Sequence, residues 1–317
     1  MHTDSNNTKV DEDILRRFVL VTGKGGVGKS TLTATLALMS ARRGDRTLVC
    51  ELNTHEQVPQ LLGHAPAGPK VTELEENLWT VNISPEHAMQ EYGLMKLRFQ
   101  AFYRLVFENP LVSALVRFVP GINDLLMLGK AFNHEREETN GRPTWDRIII
   151  DAPATGHGLT FFRLPRIIRD AIPSGNMHNE GAEMWDLMTD PLRTVVHLVS
   201  LPEELPVQET MELHGRLRDE LDLPLGAVFL NQMPTLPLQE NVAEAFDGWI
   251  EPPKEESLLP LWSAGKIRAQ QVAQAETYRE TLAELGRPLV DLPQQHSDGF
   301  GRDDIEVLLS AIDGGPS

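Results

Sequence analysis

Gly23-Lys24-Gly25-Gly26-Val27-Gly28-Lys29-Ser30-Thr31 follows directly on the apolar run Phe18-Val19-Leu20-Val21. The stretch fits G-x-x-x-x-G-K-[ST], a phosphate-cradling loop set between a buried strand and a helix. Its glycines let backbone N–H groups approach a polyphosphate, and the helix that follows offers the positive end of its dipole. In that arrangement Lys29 reaches the β- and γ-phosphates of a nucleotide, and the Ser30 hydroxyl ligates Mg²⁺. Leu32, Leu36 and Met39 recur at helical spacing, and Arg42-Arg43-Gly44 supplies a basic last turn and a glycine stop. A glycine-rich turn without a ligand does not need Lys and Ser at these places.

Working outward, short β-rich runs alternate with helical patterns, which predicts an α/β fold: a doubly wound, mostly parallel sheet covered on both faces. Strands are predicted at 17–22, 46–52, 78–83, 146–151, 194–200, 225–231 and 288–291, and helices at 29–43, 156–171, 206–221, 265–286 and 303–312. Ligands in such folds sit beyond the carboxyl ends of the strands, which is where the motifs fall. The core is expected to comprise 14–84 and 142–312, with a disordered tail at 1–13 and a short tail at 313–317. From 85 to 141 no strand pattern is evident, and large apolar residues between Tyr92 and Phe107 cover nearly the whole circumference of a helix. This interval reads as a helical insertion, with a second small helical excursion at 173–190. The insertion is either a packed subdomain or dimer surface, or a groove for a hydrophobic segment of a client protein. Sequence leaves both open.

Composition narrows the function classes. The 317 residues carry 46 acidic against 29 basic side chains, a net charge of −17 that argues against a broad nucleic-acid or anionic-membrane footprint. The single cysteine, Cys50, leaves no internal disulfide and no thiolate zinc site, so no zinc is expected. No leader-like segment and no apolar run approaching the ~18 residues of a membrane span are visible, so a cytoplasmic protein with no integral membrane segment is expected. The isolated histidines show no metal-ligand spacing.

A second motif is Trp145-Asp146-Arg147-Ile148-Ile149-Ile150-Asp151-Ala152-Pro153-Ala154-Thr155-Gly156-His157-Gly158-Leu159. A carboxylate ending a buried strand beside a phosphate loop is where Mg²⁺ is held through water, which makes Asp151 the second metal candidate with Ser30. The glycines at 156 and 158 permit a loop that could report the γ-phosphate.

With Lys24 one residue into the loop, K-G-G-V-G-K-S-T resembles the "deviant Walker A" class of P-loop NTPases (SIMIBI type), which includes the ParA/MinD proteins, nitrogenase iron protein and the ArsA/tail-anchored-protein-targeting ATPases. D-A-P-A-T-G-H-G-L with Phe162-Arg163-Leu164-Pro165, Leu201-Pro202-Glu203-Glu204, Glu209-Thr210 and Gly226-Ala227-Val228-Phe229-Leu230-Asn231 resembles the bacterial branch of the last family. The resemblance spans about residues 17 to 292. It implies ATP and Mg²⁺ as cofactors, a loop Gly23–Thr31 around the phosphates, and Lys24 reaching the nucleotide of a second subunit. It further implies a homodimer, or a heterodimer with a paralogue, and Asn231 at the adenine base. Leu259-Pro260-Leu261 resembles the family's later adenine-side loop. The expected function is an ATP-hydrolysing switch whose nucleotide state governs a hydrophobic or protein partner.

The chain departs from the family's pattern in two places. Where the family carries a water-orienting carboxylate, counting from Gly44 gives Asn53, in Cys50-Glu51-Leu52-Asn53-Thr54-His55-Glu56. An amide hydrogen-bonds water but cannot take its proton, so slow hydrolysis is expected unless Glu51 or Glu56 substitutes. The thiols of the family's bridging zinc and of arsenite activation are absent. Two rival readings stand beside the self-sufficient ATPase: a weakly active or inactive ATP-binding subunit paired with a paralogue, and a ParA/MinD-type spatial organiser.

Overall fold

Successive side chains of a strand leave it on opposite faces, and here both faces are buried: Phe18 and Leu20 feed one hydrophobic core while Val19 and Val21 feed another. The computed structural model describes residues 16–52, 55–84, 87–88, 122–153, 158–235, 253 and 255–314. The first part of the chain forms β1 (Phe18–Gly23), α1 (Lys29–Arg42), β2 (Thr47–Glu51), α2 (Val58–Leu61), β3 (Thr72–Glu75) and β4 (Leu78–Asn82). Next come α3 (Ile122–Glu135), a small hairpin of β5 (Glu138–Thr139) and β6 (Arg142–Pro143), β7 (Arg147–Asp151), α4 (Gly158–Ala171) and α5 (Asn176–Thr189). The last part holds β8 (Thr194–Ser200), α6 (Glu204–Asp219), β9 (Leu225–Met233), α7 (Leu259–Ala283), β10 (Leu289–Pro293) and α8 (Arg302–Ile312).

Eight strands make one sheet in the order β10-β9-β8-β1-β7-β2-β4-β3. Every neighbouring pair is parallel except β3 with β4. The alternating strand faces decide which helix goes where. Leu32, Leu36 and Met39 of α1 and Ile305, Leu308 and Ile312 of α8 cover the side of Val19, Val21 and Val49. Residues of α3 to α7, among them Phe132, Phe161, Leu187, Leu213 and Leu282, cover the side of Phe18, Leu48 and Ile150. β1 lies in the middle, flanked by β8 and β7, so the loop that leaves it emerges at the centre of the sheet's carboxyl edge.

The seven predicted strands correspond to β1, β2, β4, β7, β8, β9 and β10 with ends moved by one or two residues. Three short strands differ from the sequence reading. β3 (Thr72-Glu73-Leu74-Glu75) is an edge strand whose acids keep the open edge soluble, and it has no apolar run to announce it. β5 and β6 turn through Asn140 (φ 55°) and Gly141 (φ 74°), an Asn-Gly hairpin signal within and just past the interval read as strand-free. The α7 helix starts at Leu259 rather than 265, so Leu259-Pro260-Leu261 forms its first turn instead of a loop. Residues 89–121, most of the predicted insertion, and the tail 1–13 lie outside the described residues, whereas α5 occupies 176–189 of the second excursion.

His197 shows how dry the sheet is. It is fully buried in β8, its Nδ1 accepts the Ala227 N–H at 3.1 Å, and its ring meets Phe229 edge-on. Burial lowers its pKa from 6.5 to about 4. As pH falls through 6.5 the unfolded chain takes up this proton and the folded chain does not until about 4, so stability falls across that window. The gap corresponds to about 3 kcal/mol. The unfolding free energy of His197→Gln, measured by denaturant titration across this range, should therefore decline less steeply with acid than that of the wild type. Parallel curves would show that His197 titrates normally.

Candidate functional site

β1 ends at Gly23, where a Cβ would sit 2.4 Å from the Val199 carbonyl oxygen of β8, so the chain can turn there only as glycine. Five residues on, Gly28 adopts φ +97° as the residue preceding α1. A Cβ on Gly28 would lie 2.1 Å from Asn231 Nδ2, because Asn231 at the end of β9 donates that amide to the Val27 carbonyl at 2.9 Å. Two constraints from neighbouring strands thus fix the loop. Gly25 and Gly26 between them are exposed, and the first turn of α1 contains no acid to neutralise its N–H groups.

Lys29 opens α1 and folds back, its Nζ donating to the Lys24 carbonyl at 3.0 Å. Burial lowers its pKa and the Asp151 carboxylate opposes that shift. Ser30 Oγ donates to Asp151 Oδ2 at 2.6 Å, joining the helix to the last residue of β7. Asp151 is 5% exposed, and burial raises its pKa to about 6 against the pull of Ser30 and Lys29. Its other oxygen, Oδ1, is buried with no hydrogen-bond partner. A hydroxyl and a carboxylate with a spare oxygen are hard donors that suit Mg²⁺. Among the described residues no group of three or more His, Cys, Asp or Glu forms an all-protein metal cage, and Mg²⁺ at phosphates does not require one. Thr31 follows on α1, its carbonyl accepting the Thr35 hydroxyl.

The structure brings Gly23 to Thr31, Asp151 and Asn231 together, and the Asn231 amide donor holds the glycine-rich loop through the Val27 carbonyl. Lys24 pairs with Glu209 of α6 in the same chain at 2.8 Å, both side chains being about one-third exposed or more. Asn53 lies outside the described residues. The two acids weighed as its substitutes differ sharply. Glu56 accepts the N–H groups of Ala67 and Gly68 and the Asn82 amide, so it braces a neighbouring loop. Glu51, ending β2 in register with Asp151, is 1% exposed and accepts Gln57 N–H at 2.6 Å and Val58 N–H at 3.0 Å. Burial raises the Glu51 pKa to about 7 against those two donors. The loop-bracing roles of Asn231 and Glu56 had no signal in residue type or spacing, since each depends on strands distant in sequence.

A family model described as anion-transporting ATPase matches residues 16–175. ATPase BagA of Mycobacterium tuberculosis is 32% identical over 242 residues, 74% of this chain and 71% of that protein. ATPase ARSA1 of Chlamydomonas reinhardtii is 23% identical over 293 residues, 73% of this chain and 37% of that protein. ATPase ASNA1 homolog 1 of Paramecium tetraurelia is 30% identical over 160 residues, 49% of this chain and 46% of that protein.

The closeness of Gly28 to Asn231 makes their substitutions interdependent. Gly28→Ala should destabilise the chain less in an Asn231→Ala background than alone, with a coupling on the order of 1–2 kcal/mol in denaturant unfolding. Additive effects would mean that the amide does not lie against the loop.

Proposed function

We propose a function from a plain premise: this chain belongs to the anion-transporting ATPase family. Membership implies nucleotide binding and supports ATPase activity. The further reading is a switch that binds and hydrolyses ATP as a dimer and couples its nucleotide state to a hydrophobic or protein partner. The observation that carries it is the Ser30–Asp151 hydrogen bond beside Lys29, at the mouth of a loop held open by Gly23 and Gly28.

Each group then has a task. The N–H groups from Gly25 to Thr31 face the phosphates, and Lys29 exchanges the Lys24 carbonyl for a phosphate oxygen. Ser30, donating its hydroxyl hydrogen to Asp151, would keep an oxygen lone pair with which to hold Mg²⁺, and the ion would supply neutralisation of phosphate charge. Lys24 must leave Glu209 to reach a second subunit's nucleotide, and an exposed pair of this kind resists by about 1 kcal/mol or less. The interval 85–141 is the proposed helical insertion and the place to seek a client. Its described helix α3 packs Met127, Leu128 and Phe132 into the core.

A second reading, a slow or inactive ATP-binding subunit partnered by a competent paralogue, is favoured by Asn53 together with the engagement of Glu56 elsewhere. A spatial organiser on DNA or membrane fits the net charge of −17 poorly, and among the described residues no helix is long and apolar enough to cross a membrane.

Mg-ATP hydrolysis by the purified chain, with its mass by light scattering in ADP and in a slowly hydrolysed ATP analogue, tests these readings. The switch predicts turnover that Lys29→Ala lowers about 100-fold or more, and analogue-driven dimers that Lys24→Ala abolishes. Tight binding with turnover only after Asn53→Asp would select the paired-subunit reading. No nucleotide binding at all would overturn both.

A further inference from the structure

Two buried carboxylate oxygens face an unfilled need. Glu51 and Asp151 are register partners at the carboxyl ends of adjacent parallel strands, so their side chains leave the sheet on the same face. Asp151 uses Oδ2 for Ser30 and leaves Oδ1 without a partner; Glu51 uses Oε1 for the Gln57 and Val58 N–H groups and leaves Oε2 without one. Both residues are at least nine-tenths buried. Orphaned polar atoms at such depth are costly, and two of them on register partners of adjacent strands point to a shared polar ligand. Lys29 is no partner for Glu51 here: its Nζ donates to the Lys24 carbonyl, and Glu51 Oε2 receives no hydrogen bond.

We propose that Glu51 is a positioning residue of the magnesium site, its Oε2 accepting a hydrogen bond from a metal-bound water while its Oε1 holds the backbone at Gln57 and Val58. The assignment rests on the Mg-nucleotide reading of the Ser30–Asp151 pair. Mg²⁺ dehydrates reluctantly and is usually held by one or two protein groups, keeping several waters that need acceptors. Asp151 Oδ1 and Glu51 Oε2 would supply two acceptors for those waters. One side chain then links metal occupancy to the start of α2, because Oε1 and Oε2 belong to the same rigid carboxylate. Glu51 touches neither the nucleotide nor the attacking water in this role.

Glu51→Gln separates this role from a structural one. The glutamine oxygen can still accept from Gln57 and Val58, but the amide nitrogen presents a donor where a water proton must be received. In the full chain, ADP affinity without metal should change less than about twofold, which also certifies folding. The Mg²⁺ concentration giving half-maximal tightening of ADP should rise about tenfold or more, and Mn²⁺ bound with ADP, counted by electron paramagnetic resonance, should weaken in step. Hydrogen exchange at Gln57 and Val58 should slow on Mg-ADP binding in the wild type and not in the variant. Unchanged Mg²⁺ and Mn²⁺ dependence in Glu51→Gln would overturn the proposal while leaving the nucleotide reading intact. A wild type whose ADP affinity ignores Mg²⁺ would overturn the underlying reading and this role with it. Were Glu51→Gln to misfold, the wild type alone keeps the test: exchange at Gln57 and Val58 that slows with Mg-ADP but not with metal-free ADP supports the role, and exchange indifferent to Mg²⁺ overturns it.

Discussion

The hydrogen bond from Ser30 to Asp151 ties the first turn of α1 to the end of β7, and the site is built around that tie. It exists because β1 and β7 are parallel neighbours, which brings the loop after one strand over the carboxyl end of the other. The same geometry sets the half-buried Lys29 and the buried Glu51 near Asp151, and for each of the three the ionised form is disfavoured by lost hydration. The lysine is pulled toward neutrality and the two acids toward protonation. Such an arrangement is poorly satisfied without a ligand and well matched to one that brings a divalent cation and a polyphosphate together.

Contacts around the site fall into two physical kinds. Asn231 on Val27 and Glu56 on Ala67 and Gly68 hold loop backbones with interior or half-buried bonds, the first bracing the cradle itself and the second a neighbouring loop. Lys24 with Glu209 is exposed to solvent, where ion pairs are weak and exchange readily. A braced loop and an exposed lysine pair beside it fit the nucleotide-gated association proposed for this chain. The ligand must find its cradle formed, and the group that changes partner must be free to do so.

Much of this was legible before any coordinates. The phosphate loop, Asp151 and the parallel core strands announce themselves through glycine spacing and continuous apolar runs, which are local properties. The β3 strand was silent because its Thr-Glu-Leu-Glu pattern obeys edge protection rather than burial, and the β5–β6 hairpin was readable from Asn140-Gly141 alone. Asn231 was identified by resemblance, yet the contact it makes depends on how β9 falls beside the loop after β1, a tertiary fact. Glu51 and Glu56 were both candidates in sequence to substitute for the acid missing at Asn53. Only the register of β2 against β7 sets one beside Asp151, while the turn that follows sends the other to the 67–68 backbone.

Calorimetric titration of ATP into the purified chain, in Mg²⁺ and in a metal chelator, tests the central claim most directly. A nucleotide cradle built on Lys29, Ser30 and Asp151 predicts micromolar or tighter binding in Mg²⁺. It also predicts that Lys29→Ala weakens binding about 100-fold and that Ser30→Ala removes most of the metal's contribution. Absence of binding in the wild type, or affinities that neither substitution alters, would contradict it.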